Sequence, residues 1–93
     1  MLFAIVCEDQ ADHEDLRKAT REAHLAYIAD FDVRLAGPML SDDGETMIGS
    51  LILLEAVSLA DAQSFAASDP YKLAGLFANV SIRPFRQAIP APG

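Results

Sequence analysis

The chain has 93 residues, the size of one domain, and a chain this short buries only roughly 60 to 70% of the surface its unfolded form exposes, so every apolar residue must share one core. Apolar residues make up 52% of it, which argues against disorder, while 14 acidic against 7 basic side chains give a net charge of −7 that would repel nucleic acid and anionic lipid; neither is expected as a partner. Cys7 is the only cysteine, which excludes an intrachain disulfide and a cysteine-rich zinc site and fits a reducing compartment.

Leu2 to Cys7 is continuously apolar and stops at the polar cluster Glu8 to Asp12, which predicts a short buried strand. The run lacks a basic leader and continues into Glu8 and Asp9, so it is not expected to be a signal peptide. No apolar stretch approaches the ~20 residues that span a bilayer, so no membrane association and a cytoplasmic location are expected. From His13 to Asp30 the spacing turns helical, with Leu16, Ala19, Thr20, Ala23, Tyr27 and Phe31 on one face and Asp12 as the N-cap. Val33 to Leu40 predicts a second strand that holds Gly37-Pro38 at an edge or a bulge. The turn Ser41 to Glu45 leads into a long strand, Met47 to Ala56. Ser58, with Asp61 three residues on, opens a second helix carrying Leu59, Ala62, Phe65 and Ala66, and Asp69-Pro70 ends it. Tyr71 to Phe77 predicts a helical turn, and Val80 to Ile89 a last strand interrupted by Pro84. A single domain over residues 1–89 and a loose tail over 90–93 complete the chain.

The order strand, helix, strand, strand, helix, strand is that of a ferredoxin-like α+β domain with a four-stranded antiparallel sheet and both helices on one face. A sheet whose other face meets water should alternate apolar and polar residues. The first and third strands are instead apolar on both parities, which predicts a second copy of the sheet as the cover and hence a homodimer.

Few residues offer chemistry. His24 falls within the apolar arc of the first helix, with Arg17 seven residues earlier on the same side; a core-edge imidazole with one hydrogen bond is the plain alternative. His13 reads as solvated. Asp69, by default a helix-end turn residue, could also reach the middle of the first helix in this fold and hydrogen-bond an imidazole, fixing its tautomer and raising its basicity. Ser50 and Glu55 occupy opposite parities of the long strand, so at most one shares a pocket with a given inward side chain. Ser50 lacks a nucleophile elbow and is kept as a substrate contact. Two histidines without metal spacing, and no phosphate-binding glycine loop, lead to the expectation that neither metal nor organic cofactor is used.

From Met1 to about Arg86 the chain resembles the YciI-like (YCII-related) family of small dimeric α+β barrels, which are similar to muconolactone isomerase. The resemblance is carried by Arg21 and His24-Leu25, Ala36-Gly37-Pro38, Gly49-Ser50, Glu55-Ala56, Asp69-Pro70-Tyr71, Ala74-Gly75-Leu76 and Pro84-Phe85. It implies a catalytic dyad, His24 and Asp69, in a cleft. Arg17 or Arg21 at the mouth of that cleft could attract an anionic substrate, and Pro38, Ser50 and Tyr71 are the other candidate substrate-binding residues. Members linked to a reaction act in aromatic degradation, including removal of chloride from a chlorinated hydroxyquinol. The implied activity is therefore proton transfer on a small molecule by a lyase or isomerase. A non-catalytic ligand-binding or accessory dimer is the alternative, because a fold alone decides no function.

Overall fold

The computed structural model describes residues 1–92. Period-two alternation sets its sheet. In β1 (Leu2–Asp9) the side chains of Phe3, Ile5 and Cys7 are buried, and Leu2, Ala4 and Val6 alternate with them on the other face. This strand is central. It pairs antiparallel with β3 (Met47–Glu55), Ile5 opposite Ile52, and with β4 (Phe77–Phe85), Ile5 opposite Ile82. On the far side of β3 lies β2 (Val33–Leu40), with Pro38 opposite Ser50, so the strand order is β2-β3-β1-β4. Pro38 and Pro84 both sit on edge strands, where a missing N–H is tolerated.

Helices α1 (Glu14–Ile28) and α2 (Leu59–Ala67), followed by the single turn α3 (Pro70–Leu73), cover one face of the sheet. Ile28 from α1 and Ala62, Phe65 and Ala66 from α2 join Phe3, Ile5, Ile52 and Leu54 in one core. The architecture is the antiparallel ferredoxin-like β-α-β-β-α-β arrangement. Ser58 caps α2 by accepting the Asp61 amide at 3.2 Å. No helix among the described residues is long and apolar enough to cross a membrane.

Several local expectations change. β1 continues to Asp9, because Glu8 and Asp9 still find partners in Asn79 and Phe77. β4 starts at Phe77 and ends at Phe85, not at Ile89: its partner β1 begins at Leu2, which pairs with Phe85, and beyond it there is no strand to pair with. His13, not Asp12, takes the N-cap position of α1 and makes no side-chain cap bond; Asp12 adopts φ +61°, a left-handed turn geometry that aspartate tolerates better than most residues. Helix α1 stops at Ile28, and its buried residues are Arg17, His24 and Ile28, while Ala19 and Ala23 face solvent. Alanine is nearly indifferent to its face, so the polar partners of Arg17 and His24 set the rotation of the helix. α3 is also shorter than the helical turn expected over Tyr71 to Phe77.

The face of the sheet opposite the helices is apolar as well. It carries Val6 beside Leu51, Ala4 beside Leu53, Leu53 beside Leu35, and Leu2 beside Phe85, with Leu35 53% and Leu51 39% exposed, while Ser81 and Arg83 of β4 make its edge beyond β1 polar.

Candidate functional site

Arg17 and His24 stand two turns apart on the inward face of α1 and are 2% and 6% exposed. Charged or polar groups buried this deeply need partners. Arg17 finds Asp9 at the end of β1: Nε donates to Oδ2 at 2.7 Å and Nη2 to Oδ1 at 2.9 Å, a two-bonded fork. Nη2 also donates to Ser50 Oγ at 2.8 Å. Ser50 points inward because it shares the parity of Ile52 and Leu54 on β3. Burial opposes the charge on Arg17, but the hydrogen bonds and charge of Asp9 outweigh it, and the guanidinium is held above its ordinary pKa.

Asp69 serves two roles through one carboxylate. As the cap of α3 it accepts the Tyr71 amide on Oδ1 at 2.9 Å. It also lies against His24, whose Nδ1 is 2.8 Å from Oδ1 and 3.0 Å from Oδ2. The carboxylate accepts, so Nδ1 carries a proton, and in the neutral imidazole Nε2 then holds the lone pair. Among the described residues Nε2 has no hydrogen-bond partner, and it is not sealed from solvent. Tyr71 stacks on the imidazole with ring centroids 4.0 Å apart and an interplanar angle of 15°, and the Arg17 guanidinium carbon lies 4.6 Å from the Tyr71 ring centre. Burial raises the Tyr71 hydroxyl pKa although Arg17 pulls the other way. Beneath them the Cys7 thiol is pushed up to about 12, by burial first and then by the charge of Asp69, so it is no nucleophile at neutral pH.

These side chains meet at a cleft of about 140 Å³ between α1 and the β2–β3 pair. Arg17, Arg21, His24, Pro38, Ser50 and Tyr71 all line it, and Asp69 sits behind His24. Arg21 is exposed at its rim. Arg17 is not at the mouth where an anion-attracting arginine was expected; its pairing with Asp9 draws it into the wall. Sequence reasoning missed Asp9, which it placed in a polar cluster outside the strand. The signal was its parity: Asp9 continues the odd-numbered inward series Phe3, Ile5, Cys7. A larger hollow of about 490 Å³ beside Tyr27, Phe31 and Phe65 contains no acid–base pair of this kind. No cluster of three or more His, Cys, Asp or Glu side chains placed to hold a metal occurs among the described residues.

The profile of the YCII-related domain matches residues 1–86. Protein YciI of Escherichia coli O6:H1 is 35% identical over 96 aligned positions, which span 94% of this chain and 98% of that protein. An uncharacterized protein of Haemophilus influenzae is 32% identical over the same shares of the two chains. Among solved structures, the 5-chloro-2-hydroxyhydroquinone dehydrochlorinase TftG of Burkholderia phenoliruptrix AC1100, in complex with 2,5-dihydroxybenzoquinone, superposes with a TM-score of 0.86 at 32% identity, covering 95% of this chain and 96% of TftG.

Proposed function

This chain belongs to the YCII-related family, and from that premise we propose that it is a cofactor-independent enzyme of proton-transfer type, a lyase or isomerase, in which His24 moves the proton and Asp69 orients it. One observation carries the reading. His24 is buried, its Nδ1 is committed to a carboxylate, and its Nε2 is unpartnered on a residue that lines a cleft. In that tautomer Nε2 is a base, and the carboxylate stabilises the imidazolium formed when it takes a proton. The cleft is well below the ~300–1,000 Å³ of drug-sized sites, which suits a single substituted ring or a small enolisable acid. TftG acts on a chlorinated hydroxyhydroquinone and binds a quinone. Loss of hydrogen chloride is removal of a proton together with departure of a leaving group, so the same acid–base pair can serve it. Arg21 at the rim would draw in an anionic substrate, and Pro38 and Tyr71 would form the walls.

The working form is proposed to be a cytoplasmic homodimer joined through the sheet face that carries Leu35, Leu51, Leu53 and Phe85, since helices cover only the other face.

The test is turnover of chlorinated hydroxyhydroquinones, related phenols and lactones by wild-type protein and by His24→Ala. His24→Ala is expected to keep its fold by circular dichroism and to lose about 10²–10⁴ in rate. Binding of these compounds with no His24-dependent turnover would replace the reading with that of a ligand-binding dimer.

A further inference from the structure

The hollow of about 490 Å³ bounded by the C-terminal turn of α1, the end of β3 and α2 shares no wall residue with the cleft and has no part in the acid–base reading. Three aromatic side chains line it. Tyr27, Phe31 and Phe65 are in mutual contact, with ring centroids 4.8 to 5.5 Å apart, and the Tyr27 hydroxyl donates to the Phe65 carbonyl at 2.9 Å, which fixes its ring. Rings packed in this way would normally close into a core, yet Phe31 stays 42% exposed and Val57, on the same wall, 92%. Apolar surface is thus left open on a hollow of the size that takes small organic molecules. No basic side chain lines the hollow, whereas Glu55 and Asp61 both do. Glu55 pairs with the Met1 amino group and, at 3.3 Å, with Arg34, so its charge is answered. Asp61 gives its amide to Ser58, while its carboxylate makes no ion pair among the described residues. The last turns of α1 and α2, which reach the hollow through Tyr27 and through the cap residue Ser68, end in partial negative charge and carry no basic residue.

We propose that this hollow is a second ligand site, separate from the cleft, for a small organic ammonium ion with an aromatic or branched alkyl body. The rings of Tyr27, Phe31 and Phe65 take the apolar body, and their quadrupoles favour a cation over a neutral group of the same size. Asp61 is the counter-ion. Because it is exposed, its pair is weak alone, and the preference for a cation comes from the ring contacts and the carboxylate acting together. An anion is opposed by Asp61, by both helix ends and by the net charge of −7. A bare metal ion does not fit the wall, since no cluster of three or more His, Cys, Asp or Glu side chains placed to hold one occurs among the described residues.

The experiment titrates the protein with benzylammonium, benzyl alcohol and benzoate, which keep one ring and change only the charge, and follows the amide chemical shifts by NMR. Benzylammonium is expected to shift the signals of Phe31, Asp61 and Phe65 saturably and to bind about 5- to 20-fold more tightly than benzyl alcohol, with benzoate weakest. Asp61→Asn keeps the amide that Ser58 caps, and Phe31→Leu keeps apolar bulk at a partly exposed position, so both variants should fold. Each should reduce the preference for benzylammonium over benzyl alcohol by about 2- to 5-fold. His24→Ala should bind benzylammonium as wild type does. Equal affinity for the three compounds, shifts confined to the cleft, or a cation preference that is unchanged in either Asp61→Asn or Phe31→Leu overturns the site. So does a preference that is lost in His24→Ala, because the ligand would then occupy the cleft. The readout involves no turnover, so its outcome is independent of the His24-dependent rate.

Discussion

Replacing Asp69 by Asn tests the orienting role with the least change of shape. Asp69 is 1% exposed, and its Oδ1 accepts from both His24 Nδ1, at 2.8 Å, and the Tyr71 amide, at 2.9 Å. An asparagine that keeps its oxygen there must place its NH₂ where Oδ2 stood, 3.0 Å from His24 Nδ1. Oδ1 can still accept from Nδ1, but the NH₂ sets a second donor against the same N–H, a conflict relieved when the imidazole shifts its proton to Nε2, the atom that should act as base, and Nδ1 accepts from the NH₂. Flipping the amide only moves the conflict to the Tyr71 N–H. The expected result is a change of tautomer, visible in the nitrogen chemical shifts of His24, with a loss of about 10²–10⁴ in turnover. Exchanging a charge-assisted for a neutral hydrogen bond should cost about 1–2 kcal/mol, a fall in Tm of roughly 4–15 °C for a chain of this size. An Asp69→Asn protein in which His24 keeps its proton on Nδ1 and turnover is unchanged would refute the reasoning and leave Asp69 as the cap of α3.

Leu51 and Ile52 face opposite sides of β3, so Leu51→Glu should yield a folded monomer by light scattering while Ile52→Glu should not fold; a folded Leu51→Glu dimer would rule out assembly through this face. The Cys7 thiol is raised from 9.0 to about 12 in the folded chain, so its contribution to stability is whole below pH 9 and is lost as pH rises towards 12, the unfolded chain ionising first. At pH 10 this is about 1.4 kcal/mol relative to neutral pH, and urea titrations of wild type and Cys7→Ala should differ in pH dependence by that amount. Gly49 allows β3 to pass close to β1, since a Cβ there would overlap the Cys7 carbonyl oxygen and lie 2.8 Å from the Met39 methyl carbon. The methionine can move and the backbone cannot, so Gly49→Ala should lose about 1–3 kcal/mol by denaturant unfolding; an unchanged midpoint would mean that the strands separate freely.

The order of strands and helices is legible in the sequence because each depends on local periodicity: Phe3, Ile5 and Cys7 alternate, and Arg17, His24 and Ile28 recur at helical spacing. The doubly apolar strands also reveal that the sheet has two faces to cover. Chain periodicity is weaker where the residues are alanine, and Ala19 and Ala23 therefore suggested a rotation of α1 that the structure does not adopt. The end of β4 was not legible, since it depends on where β1 runs out and not on the residues from Arg86 to Ile89. The same holds for the cleft. His24 could be read as inward from its own helix, but its partner is 45 residues away, Ser50 is 33 residues from Arg17, and Asp9 looks like any acidic residue in a turn until β1 carries it beneath α1. Which polar groups meet is decided by the packing of α1 across the sheet, because the cost of burying an unpaired charge acts only once tertiary structure has removed the water.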